Sequence, residues 1–86
     1  MSREEKLLQR FLSFPKDFTY DETVSILRVF GFMPDNSGHT SGSRRRFRNE
    51  ATGDRFAIHQ PHPGTIVKRV YLVRLAKFLK EGGYLK

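Results

Sequence analysis

The sequence predicts an α+β domain in which helices cover one face of a three-stranded antiparallel sheet, in the order α-α-β-β-β-α. Three observations predict it. Apolar residues recur at spacings of three and four near both ends of the chain, as amphipathic helices require. The middle instead holds two short segments, Ser43–Arg48 and Arg55–His59, on either side of a Gly-containing turn, the pattern of a β-hairpin. Gly and Pro stand at the changes of period.

Glu4 to Phe14 carries Leu7, Leu8, Phe11 and Leu12 on one stripe of a short helix, and Pro15 ends it. Thr19 with Glu22 three residues later fits a capping box that opens the second helix. Its buried stripe reads Tyr20, Val24 and Leu27, widened by Ile26 and Phe30, with Arg28 toward solvent and Gly31 as the stop. After Phe32 and Met33, the segment 34–42 is rich in Asp, Asn, Ser, Gly and Thr, so any strand there is short and a loop follows. Ser43–Arg48 and Arg55–His59 read as two strands joined by the turn-forming residues 49–54. Pro61 and Pro63 lack ladder donors and cannot extend the last strand. A final helix opens at Gly64 or Thr65 and runs to about Glu81, with Leu72, Leu75, Ala76 and Leu79 among its apolar residues and Gly82-Gly83 as terminator.

Eighty-six residues with 37% hydrophobic and 13% aromatic side chains suit one domain with one core. There is no cysteine, which excludes disulfides, thiolate metal sites and cysteine nucleophiles. No apolar run approaches the ~20 residues of a membrane span, and residues 1–10 are too charged for a signal peptide, so a cytoplasmic location and no membrane partner are expected. The net charge of +7 is unevenly placed: residues 1–42 hold five basic and six acidic side chains, residues 43–80 ten basic and two acidic ones. A soluble domain with that asymmetry suits a polyanionic partner, nucleic acid or an acidic protein.

Strand alternation sharpens the charge argument. If Phe47, Phe56 and Ile58 face the helices, then Arg44, Arg46, Arg48, Arg55 and His59 project from the open face. Pairing Phe47 with Phe56 places Arg44 directly opposite His59. An arginine-rich face is often simply solvated. Against that, like charges crowded on two neighbouring strands repel, and arginine forks grip phosphate oxygens bidentately.

The histidines, His39, His59 and His62, are the side chains poised for proton transfer near neutral pH. Histidine beside arginine is what metal-independent RNA cleavage needs: a base for the ribose 2′-OH and cations for the charge that builds on phosphorus. DNA lacks that nucleophile. Taken singly, each histidine is more often an ordinary surface residue than a catalyst. His59-x-x-His62 spans a proline-containing turn without a third ligand at useful spacing, so no metal and no other cofactor is expected.

Gly31-Phe32 closing a helix, the run Thr40-Ser41-Gly42-Ser43-Arg44-Arg45-Arg46-Phe47, and His59-Gln60-Pro61-His62-Pro63-Gly64 before the last helix together resemble the HicA family of bacterial toxins. Pro15-Lys16-Asp17-Phe18-Thr19-Tyr20-Asp21-Glu22 is similar to a branch with an added N-terminal helical segment, which makes residues 1–17 an extension and 18–86 the core of a single domain. The resemblance implies a double-stranded-RNA-binding-like fold, cleavage of mRNA that arrests translation, and restraint by a HicB-like antitoxin. One position departs from the family. Where most members carry the catalytic histidine in a Gly-x-His setting, Gly42-Ser43 is followed here by Arg44. Arginine stabilises anionic transition states but cannot serve as a base at neutral pH. Two readings follow: His59 transfers the proton with Arg44 stabilising the phosphate, or the chain binds RNA without cutting it. In either, Arg46, Arg48, Arg55, His62 and Lys68 are the expected RNA contacts.

Overall fold

The computed structural model describes residues 2–35, 44–61 and 64–85. Three helices and a three-stranded antiparallel sheet follow one another in the order α-α-β-β-β-α, as expected. Helix α1 (Arg3–Leu12) opens under Ser2, whose Oγ accepts the Glu5 N–H at 3.1 Å. It stops short of Phe14 because Phe14 takes a left-handed backbone, φ 51°, that a right-handed helix cannot contain. That turn sets the Phe14 ring edge-on to Phe11 at 6.3 Å.

Helix α2 (Tyr20–Val29) starts on the expected capping box: Thr19 Oγ1 accepts from Glu22 N at 3.1 Å, and Glu22 Oε1 accepts from Thr19 N at 2.9 Å. Its buried face is rotated from the expected stripe. Thr23, Ile26 and Leu27 are buried, whereas Tyr20 and Val24 are half-buried. Thr23 can enter the core because its hydroxyl donates to the Thr19 carbonyl at 2.9 Å, leaving only its methyl to be packed. Arg10 clamps α1 to α2, donating to Glu22 Oε2 and Asp17 Oδ1 at 2.8 Å each while its guanidinium lies 5.1 Å from the Phe18 ring centroid.

The sheet runs β1 (Phe32–Pro34), β2 (Arg44–Asn49), β3 (Arg55–His59) in that spatial order. Strand β1 is three residues long and ends with Pro34 paired to Phe47. Strand β2 extends one residue past Arg48 to Asn49, which is buried. Phe47 pairs with Phe56 and Arg44 with His59, the register expected from the apolar pattern.

Helix α3 (Arg69–Glu81) begins later than Gly64 or Thr65. The intervening residues are held in a bridge: Tyr20 N donates to Thr65 O at 2.7 Å, Val67 N to Phe18 O at 2.8 Å, and Ile66 pairs with Thr19. Val67 is thereby buried. Phe32, Phe47 and Ile58 from the sheet meet Phe11, Ile26, Leu27 and the Leu72/Leu75/Leu79 stripe in one core. The Phe78 ring lies 5.7 Å from Phe32 and 4.9 Å from Phe56, fixing α3 across the sheet. Beyond α3, Tyr84 packs against Phe32 at 5.1 Å and donates its hydroxyl to Asp54 Oδ2 at 2.7 Å, tying this segment to the hairpin turn. No helix among the described residues is long and apolar enough to cross a membrane.

Candidate nucleic-acid interface

Because Phe47 and Ile58 are buried, the alternate residues of β2 and β3 point away from the core. Arg44 stands opposite His59, Arg46 opposite Ala57, and Arg48 opposite Arg55, while Met33 of β1 adjoins Arg48. The hairpin therefore gathers four arginines and one histidine on a single face. Arg44, Arg55 and His59 are exposed; Arg46 and Arg48 are half-buried, their stems covered by neighbours. Arg48 Nε is shut off from solvent without a hydrogen-bond partner among the described residues.

The direct opposition of Arg48 and Arg55 disfavours folding by like-charge repulsion. Neither these two nor Arg44 forms a salt bridge among the described residues. The guanidinium forks of Arg44, Arg48 and Arg55 have the planar donor geometry that matches phosphate oxygens.

At the end of this face, Arg44 and His59 meet two residues from α3. Tyr71 and Arg74 join them around a cleft of about 130 Å³ whose other wall is β3 from Phe56 to His59. The His59 ring lies 6.5 Å from the Tyr71 ring, and the Arg74 guanidinium lies 5.7 Å over the same tyrosine. Tyr71 thus presents one ring to an imidazole and a cation. Chemically, the cleft unites a proton-transfer group with two cations and a phenol, and its open mouth would admit a phosphodiester.

The sequence reading missed Tyr71 and Arg74. Their signal was present: residues 71, 74 and 78 follow a helical spacing of three and four, and Phe78 touches Phe56, so the same stripe one or two turns earlier must reach His59. Lys68 is at the N-cap of α3, exposed, one turn before Tyr71 and outside the cleft lining. The structure therefore does not gather it with the others. His62 and His39 lie outside the described residues. Among the described residues no three His, Asp or Glu side chains converge as a metal site would need. His59 makes no hydrogen bond among the described residues that would orient its ring.

No protein-family model, no curated protein and no solved structure matches the chain.

Proposed function

We propose that the chain is a metal-independent endoribonuclease that binds mRNA on its arginine hairpin face and cuts at the His59 cleft. The observation that carries this reading is the juxtaposition of Arg44 with His59, closed by Tyr71 and Arg74. His59 takes the proton from a ribose 2′-OH as that oxygen bonds to phosphorus; the bond to the 5′ oxygen breaks, and the leaving oxygen is protonated from solvent at the open cleft. The products are a 2′,3′-cyclic phosphate and a 5′-hydroxyl. Arg44 and Arg74 stabilise the negative charge gathering on the phosphorane, and Arg46, Arg48 and Arg55 hold flanking phosphates. The motif resemblance extends the proposal to a HicA-type toxin with a double-stranded-RNA-binding-like fold, restrained by a HicB-like antitoxin.

A second reading is supported by one observation. Among the described residues His59 has no orienting hydrogen bond, whereas a catalytic base is ordinarily held by a neighbour, and this favours an RNA-binding module that does not cut. Incubating the purified chain with mRNA, with and without chelator, beside His59→Ala and Arg44→Ala, separates the two. Nuclease activity predicts chelator-resistant cleavage that falls about 10²-fold or more in each variant. Cleavage that survives His59→Ala removes the role assigned to it. Salt-sensitive binding with no cleavage at all selects the second reading.

A further inference from the structure

On the helix side of the same hairpin end lies a larger groove, about 370 Å³ in volume. Val24, Pro34 and Phe47 give it apolar walls, Asp21 and Asp35 give it carboxylates, and Tyr20, Arg45, Arg46 and Gln60 give it further polar groups. Arg45 reaches it because it sits between Arg44 and Arg46 in β2 and so points to the opposite face from them. Tyr20 is half-buried, and its hydroxyl has no hydrogen bond among the described residues. The Asp21 carboxylate likewise has neither a hydrogen bond nor an ion pair among them. Burial pushes the Tyr20 phenol above its ordinary value, with Arg45 pulling it down and Asp21 pushing it up, which places both charges within electrostatic reach of the ring.

We propose that this groove binds a guanine base of single-stranded RNA next to the phosphate held at Arg44 and His59, an inference that rests on the RNA reading above. The groove is at the lower end of the size range for small-ligand sites, suited to one base and its sugar. An aromatic ring beside aliphatic walls is the usual seat of an unstacked base. The polar groups select among the four bases. Guanine offers N1–H and N2–H donors to a carboxylate and O6 and N7 acceptors to a guanidinium, the chemistry of Asp21 and Arg45. Adenine, cytosine and uracil each lack the adjacent pair of N–H donors that a carboxylate takes up. At the groove, Pro34 stands opposite Phe47 and the Asp35 N–H bonds the Arg46 carbonyl at 2.8 Å. Arg44 and Arg45, successive residues about 3.3 Å apart along the strand, thus point to opposite faces, one lining each cleft.

The test is an NMR titration of the intact ¹⁵N-labelled chain with GMP, AMP, CMP and UMP, followed by binding of single-stranded oligonucleotides with one guanine or with inosine in its place. GMP is expected to shift Tyr20, Asp21, Arg45 and Gln60 and to bind about tenfold more tightly than the other three. Asp21→Asn, which replaces one carboxylate acceptor with a donor, is expected to erase that preference with the thermal midpoint nearly unchanged. The guanine oligonucleotide should bind more tightly than the inosine one, which lacks the N2 amine. Shifts confined to Arg44, His59 and Arg74, equal for all four nucleotides, would overturn the groove while leaving phosphate binding on the hairpin intact. A preference seen with free GMP but absent from the oligonucleotides would overturn the assignment to RNA. GMP seated in the groove of a chain that binds RNA without cutting it supports the groove and refutes only the nuclease reading.

Discussion

With 4% of its surface exposed, Asn49 donates from Nδ2 to the Phe30 carbonyl at 2.9 Å and accepts at Oδ1 from the Ala51 and Thr52 amides at 2.9 and 3.2 Å. One amide thus joins the end of α2, the end of β2 and the hairpin turn. Gly31 makes room for it, since a Cβ there would lie 3.1 Å from Asn49 Nδ2, and its φ of +90° would strain any other residue. Replacing Asn49 with Ala strands one carbonyl and two amides in a closed site, and we expect a loss of about 2–3 kcal/mol in urea unfolding. A loss below about 0.5 kcal/mol would show that water satisfies those groups equally well. Asn49 is buried for the hydrogen bonds its amide makes, a role that strand alternation alone does not reveal. Arg44 is the contrasting residue: parity of register fixes both its face and its partner, His59, from the apolar pattern of the two strands.

At the scale of elements, what was legible depended on how local the determinants are. The capping box of α2 and the register of the hairpin rest on residues close in sequence, and both stand as read. The start of α3 depends on Phe18 and Thr19, more than forty positions away, which hold Thr65 to Val67 in a bridge and prevent those residues from coiling. The phase of α3 against β3 is equally non-local, and for that reason Tyr71 and Arg74 escaped notice although their spacing was visible. Thr19 belongs to both kinds of determinant, capping α2 with its side chain and pairing with Ile66 through its backbone. Thr19→Ala is expected to lower stability by about 1 kcal/mol. It should also speed hydrogen exchange at the Tyr20 and Val67 amides, which donate across the bridge. Unchanged exchange at those two amides would mean that the bridge stands independently of the cap.

Over the whole molecule, the charge of +7 concentrates in one working direction, with arginines from two strands and one helix converging on the hairpin and its cleft. Each phosphate neutralised releases counterions, so log affinity for single-stranded RNA should fall against log salt with a slope of about −0.7 per contact. Arg48→Ala is expected to reduce that slope by about 0.7 and weaken binding similarly for all sequences, as measured by fluorescence anisotropy over a KCl series. Arg28, exposed on α2 and in neither strand of the hairpin, serves as the control and should leave the slope unchanged. Equal effects of the two variants would mean that binding follows net charge and not the hairpin face. The topology adds a different consequence. In the order β1-β2-β3, the last strand has no further strand paired to it among the described residues, and such an edge is a template on which a second copy can pair. Two copies approaching along β3 would bring Arg55 and its arginine neighbours together, and their mutual repulsion keeps the edges apart. The guanidinium groups suited to gripping a polyanion therefore also guard against self-association, and saturating them with polyanion lowers that guard.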